Sequence, residues 1–149
     1  MDRWRGIAMG IGVLVLLLWP AAARADDEAE LLAADGAFAT APPDVDRFVE
    51  FFTLDGRFYP PGAPLAEGRQ AIRAVVVRLF SAPGFSLRWK ATHAEASLDG
   101  SLGFTGGTFE LGGERDGQPT RAVGKYVTVW RKRADGRWSV VADIFNTDR

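Results

Sequence analysis

The chain has 149 residues with 18 basic and 19 acidic side chains, a formal charge of −1, and no cysteine. Near-neutral charge without a basic patch carrying stacking aromatics excludes a nucleic-acid binder. The lack of thiols excludes disulfides and thiolate–metal chemistry.

Residues 1–25 read as a secretory signal peptide. Arg3 and Arg5 precede an apolar run from Ile7 to Trp19, Pro20 interrupts it, and Ala23-Arg24-Ala25 places small residues where a signal peptidase reads. The run is too short for a spanning helix of about 17–25 residues, so cleavage before Asp26, with no membrane attachment afterwards, is the expectation. Removing Arg3, Arg5, Arg24 and Asp2 leaves 15 basic and 18 acidic residues, a net charge of −3. Residues 26–149 then form one domain in a periplasmic or secreted protein.

From Asp26 to Ala39 the pattern is helical. Glu28 and Glu30 fall in the first turn, and Leu31, Ala34 and Phe38 lie on one stripe. Pro42-Pro43 ends this segment, and Asp44 is a natural N-cap for a second helix with Val45, Phe48, Val49 and Phe52 at i, i+3, i+4 and i+7. Asp55-Gly56 stops it, and a short extended piece, Arg57-Phe58-Tyr59, follows. Arg69 to Phe80 contains three consecutive valines, yet Ala71, Ile72, Val75, Val76, Leu79 and Phe80 recur at helical spacing, which predicts a third amphipathic helix.

Beyond Phe85 the pattern becomes long strands broken at Asp99-Gly100, Asp116-Gly117 and Asp135-Gly136, an antiparallel meander of four strands. Phe85, Leu87 and Trp89 share one face, whereas Ala94, Ala96 and Leu98 have the opposite parity, which predicts a bulge near Thr92. Gly106-Gly107 in mid-strand predicts a sharp bend. Tyr126, Thr128 and Trp130 alternate with Lys125, Val127, Val129 and Arg131, and Trp138, Val140, Ala142 and Ile144 alternate with Ser139, Val141, Asp143 and Phe145. Arg131-Lys132-Arg133 reads as a solvated cluster at the hairpin. Helices followed by a long curled sheet make the class α+β.

Several runs resemble one family: Leu54-Asp55-Gly56-Arg57-Phe58-Tyr59-Pro60-Pro61-Gly62, then Glu67-Gly68-Arg69-Gln70-Ala71-Ile72-Arg73, and the closing Val129-Trp130-Arg131 with Asp135-Gly136-Arg137-Trp138 and Ala142-Asp143. Together they resemble the nuclear transport factor 2-like superfamily, and within it the SnoaL-like or ketosteroid-isomerase-like branch. The resemblance implies a cone: three N-terminal helices packed against a strongly curved, mainly antiparallel sheet, an apolar pocket at one end, and a sheet face used for dimerisation. It does not carry a function.

In the isomerase-like members the resemblance implies a general base just after the first short strand. Here that place holds Tyr59-Pro60 and no carboxylate, which speaks against the isomerase mechanism. The candidate chemical groups are Asp143, Tyr126 and His93. His93 falls on the outer side of the predicted bulge, and as the sole histidine it supports no His-based metal site. Asp143 either faces the pocket as a carboxyl with a raised pKa or, the preferred reading, lies outside with Ser139 and pairs with Lys125. Phe38, Phe52, Tyr59, Trp89, Phe104, Thr108, Tyr126 and Thr128 are the candidate pocket wall, apolar area with a few hydroxyls, while Trp130 and Trp138 read as core. The resulting expectation is an exported small-molecule-binding protein without cofactor or metal. Its rivals are an isomerase, cyclase or hydrolase using Asp143 or Tyr126, and a dimeric module working through Val127, Val129, Val141 and Phe145.

Overall fold

The structure, a computed structural model, describes residues 19–148. The elements are α1 (Trp19–Phe38), α2 (Val45–Glu50), β1 (Phe52–Tyr59), β2 (Ala66–Glu67), α3 (Arg69–Phe80), β3 (Ser86–Ala96), β4 (Leu102–Arg115), β5 (Gln118–Lys132) and β6 (Trp138–Thr147). They form one six-stranded sheet in the order β2-β1-β6-β5-β4-β3, antiparallel except for the β1–β6 pair. Helix α1 packs on β3 and β4, while α3 packs on β1 and β2 with α2 beside it. One face of the curled sheet is thus covered by helices from both ends. No described helix is long and apolar enough to cross a membrane.

Most of the signal-peptide segment lies outside the described residues. Helix α1 starts upstream of the expected Asp26, at Trp19, and runs on through that point. Leu31 and Phe38 are fully buried, and Ala34 packs beside them. Because the helix starts early, Glu30 is not in its first turn. It sits instead against the far hairpin, where Lys132 Nζ lies 2.6 Å from Asp27 and 2.7 Å from Glu30, over the Trp138 ring. Lys132 is therefore not part of a solvated cluster, since its ion pairs clamp α1 to the end of β5.

Asp44 caps α2 as expected, accepting a hydrogen bond from the Arg47 backbone N–H at 3.0 Å. The helix is shorter than its periodicity suggests. Phe52 opens β1 instead of extending α2, and Arg69 explains how that junction is held: its guanidinium donates to the Phe52 carbonyl at 2.8 Å and to the Glu50 carbonyl at 3.1 Å. Gly68, with φ of +82°, lets the chain turn into α3 directly before that arginine.

Two bulges decide which side chains face the helices. In β3 the register shifts between Ala91 and His93, so Thr92 is extra and the apolar face passes from Leu87 and Trp89 to Ala94 and Ala96. This is the predicted bulge. Across it, a Cβ on Gly107 would stand 2.0 Å from the Lys90 carbonyl oxygen, so only glycine allows β3 to press so closely on β4 at the bend. The second bulge was not foreseen. Val129 pairs with Ala142 but Trp130 pairs with Val140, so Val141 is extra in β6. Strict alternation would keep Asp143 and Phe145 on the face opposite Val140. After the bulge they share its face, and Ile144, 50% exposed, points outward in their place.

Candidate functional site

The helices and the sheet enclose an aromatic centre. Phe38 on α1 is its hub, with ring centroids 4.7 Å from Phe48, 5.1 Å from Trp89 and 5.9 Å from Phe52. Beside this cluster a cavity of about 40 Å³ opens between α3, β1 and the inner face of β3–β6. Buried Phe38, Phe48, Phe58, Thr128 and Asp143 form its floor. Partly exposed Leu79, Phe80, Leu87 and Phe145 form its mouth. Trp89, Phe109 and Tyr126 complete the wall.

Among the described residues Asp143 is the one ionisable side chain besides Tyr126 in this lining. It is 8% exposed, and its Oδ1 accepts a hydrogen bond from the Thr128 hydroxyl at 2.7 Å. Among the described residues Oδ2 has no hydrogen-bond partner, and the preferred Lys125 pairing does not form: Lys125 binds Asp148 at 2.6 Å on the outer side. Burial pushes the Asp143 carboxyl up to about 7. The charge of Asp35 adds to this, and the Thr128 bond opposes it.

Asp35 is the residue that sequence reasoning missed. Helix α1 carries it into the interior, 1% exposed, and three donors converge on it. The Tyr126 hydroxyl donates at 2.9 Å, the Trp89 indole N–H at 3.1 Å and the Thr105 hydroxyl at 2.6 Å. Thr105 in turn accepts from the Trp130 indole at 2.8 Å. Burial raises the Asp35 pKa, while the three bonds pull the other way. Its position offered a signal, for it falls four residues after Leu31 and three before Phe38, inside the buried stripe. Burial raises the Tyr126 phenol strongly, and the carboxylate it is bonded to raises it further, so it is not a proton source near neutral pH.

The remaining candidates separate by face. Phe38, Trp89, Tyr126 and Thr128 line the cavity. Phe52 is buried in the core beneath it and does not line it. Tyr59, 36% exposed, points outward because Phe58 takes the inward position on β1. Phe104 and Thr108 also lie on the outer face. Tyr126 pairs with Gly107 and Thr128 with Thr105, so the β4 residues sharing their face are Thr105, Gly107 and Phe109. His93 is exposed on the outer face against Phe104, ring centroids 5.8 Å apart. Among the described residues no cluster of three or more His, Asp or Glu side chains could hold a metal ion.

A three-helix cone whose curled sheet closes on an apolar pocket defines the ketosteroid-isomerase-like and nuclear transport factor 2-like class. The chain belongs to the SnoaL-like domain family within it, whose model matches residues 29–141. Solved structures share the fold. A ketosteroid isomerase-like protein of Erwinia carotovora atroseptica is 23% identical with a TM-score of 0.75, over 83% of this chain and 98% of that one. An NTF2-like protein of Novosphingobium aromaticivorans with a cystatin-like fold is 17% identical with a TM-score of 0.66, over 93% and 92%. A Catenulispora acidiphila protein, solved in complex with S-DNPA, is 22% identical with a TM-score of 0.65, over 80% and 92%. No curated protein matches. Proteins of this fold commonly bind small molecules or act on them.

Proposed function

We propose that the protein binds a small, mainly apolar molecule in this cavity and that Asp143 meets its one polar group, exchanging a proton with it. The observation that carries this reading is a carboxyl with one unpartnered oxygen on the floor of an aromatic cavity. That oxygen is not among the buried atoms left without a partner and lies in the cavity lining, so it is open to a hydrogen bond from a ligand, charge-assisted when the carboxyl is ionised. The ligand complex of the Catenulispora acidiphila relative supports a binding role for the fold. The cavity is smaller than the roughly 150 Å³ space that accepts benzene in an engineered core, so a drug-sized occupant would have to extend through the mouth. Thermal-shift measurement with small apolar compounds tests this. Some should raise the melting temperature, and Leu79→Trp, which fills the mouth, should abolish the effect. A panel without any shift would sink the proposal.

An enzyme of isomerase, cyclase or hydrolase type is the second reading, favoured by a carboxyl poised near neutrality. Abstraction of a proton next to a carbonyl also needs donors for the developing oxyanion. Here the Trp89 and Tyr126 donors are bound to Asp35 and the Thr128 donor to Asp143. Binding is therefore the better supported of the two.

Export to the periplasm or outside the cell, with cleavage before Asp26, is part of the same proposal, and the mature N-terminus by mass spectrometry tests it. A homodimer through the outer sheet face is a further part, with Val127, Val129 and Val141 as its apolar residues. Ile144 replaces Phe145 in that set. Light scattering that returns a monomer mass at micromolar concentration would overturn it.

A further inference from the structure

The cavity's polarity is one-sided. Its lining contains three side-chain donors, and each carries a single hydrogen already given to an aspartate: Trp89 and Tyr126 to Asp35, and Thr128 to Asp143. What remain for a ligand are acceptors, the open Asp143 Oδ2 and the lone pairs of the Tyr126 and Thr128 hydroxyls. Among the described residues no Lys, Arg or His lines the cavity, so none of them neutralises the carboxylate or attracts an anion there. The rest of the lining is dominated by aromatic rings. Phe38, Phe48, Phe58, Trp89, Tyr126 and Phe145 share the lining with the carboxyl, and ring faces attract cations, more so when water is excluded.

We propose that the occupant is a small organic amine, held as its ammonium with an N–H donated to Asp143 Oδ2 and its carbon body among the rings. This rests on the pocket-binding reading above and names its ligand class. A carbonyl compound would find a donor only in protonated Asp143, and no second one. A carboxylic acid would meet Asp143 and, behind the wall, Asp35, both of its own sign. An amine supplies the missing donor and the missing positive charge together. If it enters neutral and Asp143 is protonated, the Asp143 O–H bond breaks as the N–H bond forms, leaving the same ion pair. The cavity volume of about 40 Å³ suits an ammonium head with a few carbons, and a longer body would lie in the mouth between Leu79, Phe80 and Leu87.

The pH dependence follows from what faces the carboxyl. Asp35 on α1 and Tyr126 on β5 are the neighbouring titratable groups, whereas the side chains that reach the cavity from α2, α3 and β1 are Phe48, Leu79, Phe80 and Phe58. Amine binding should therefore weaken as acid protonates Asp143.

The test is a titration, followed by NMR and calorimetry, of the protein with n-butylamine, 1-butanol, 2-butanone and butyrate at pH 7.5. Butylamine should bind at least tenfold more tightly than 1-butanol, and butyrate should not bind. Asp143→Asn should remove that preference, bringing butylamine down to the affinity of 1-butanol. Equal binding of 1-butanol or 2-butanone to the wild type, or an amine preference that survives Asp143→Asn, would overturn the proposal. Should that variant fail to fold, the carboxyl ¹³C signal of Asp143 in the wild type decides: butylamine should lower its pKa and 1-butanol should not, and an unmoved pKa counts against the amine. Binding of 2-butanone without butylamine would leave the pocket reading standing and refute the ligand class. If none of the four binds, both fall.

Discussion

Asp35 and Asp143 lie on the same inner side of the sheet, both buried and neither paired with a cation among the described residues, yet they are served very differently. Three donors reach Asp35 and one reaches Asp143. A carboxylate surrounded by donors has its charge stabilised in place and holds its neighbours still. One with a single donor keeps an open oxygen and a pKa that moves with its surroundings. Asp35 is thus the group that fixes the wall, by turning the polar ends of Trp89 and Tyr126 away from the cavity. Asp143 is the group left open to the cavity.

Removing the wall's anchor should have the largest effect. Asp35→Ala strands the buried Thr105 and Tyr126 hydroxyls and the half-buried Trp89 indole N–H, and at about 1–3 kcal/mol for each unsatisfied group we expect a loss of roughly 3 kcal/mol or more, read by urea denaturation. A loss under about 1 kcal/mol would erase the distinction between the two aspartates.

Next comes pH. The folded pKa of Asp143 lies above its ordinary value of 3.8, at about 7, so the folded chain binds more protons than the unfolded chain between those values. Stability from this group is complete below about pH 4 and is lost as the pH rises through about 7. Asp35 shifts in the same direction. The melting temperature should be higher at pH 5 than at pH 8, and Asp143→Asn should stabilise the protein at pH 8 by about 2–4 kcal/mol, given 1.36 kcal/mol per pKa unit, while changing little at pH 4. A melting temperature that is flat across this range in wild type would contradict the burial of Asp143 in its charged form.

Tyr126→Phe removes one of the three bonds to Asp35 and should cost about 1.5–3 kcal/mol, the range for a hydrogen bond to a charged group. Because that hydroxyl faces Asp35, ligand affinity should hardly change, and a large drop in affinity would place the phenol in the binding site instead. The smallest effect is expected from Thr128→Val, about 1 kcal/mol at neutral pH. Loss of this donor should move the Asp143 pKa further upward, which NMR titration of the carboxyl would detect.

Much of the architecture was legible because it depends on local chemistry. Asp44 caps α2 through a contact three residues away, α3 follows from the spacing of Ile72, Val76 and their neighbours in spite of the valine run, and the parity switch around Thr92 is written into β3 itself. The same alternation misled in β6, where nothing in the residues Val140 to Asp143 marks the extra Val141. That bulge exists only as a mismatch with Val129 and Trp130 on another strand, and register between strands is a tertiary property. It decided that Asp143 and Phe145 face the cavity and Ile144 does not.

The sequence by itself determined three amphipathic helices, a curled antiparallel meander and the family to which they belong, since periodicity, caps and turn residues act over a few positions. Tertiary structure alone decided the site. The Asp35 carboxyl meets Tyr126 across 91 residues of chain and Trp89 across 54, and the energy of a buried charge depends on which distant donors the fold brings within 3 Å of it.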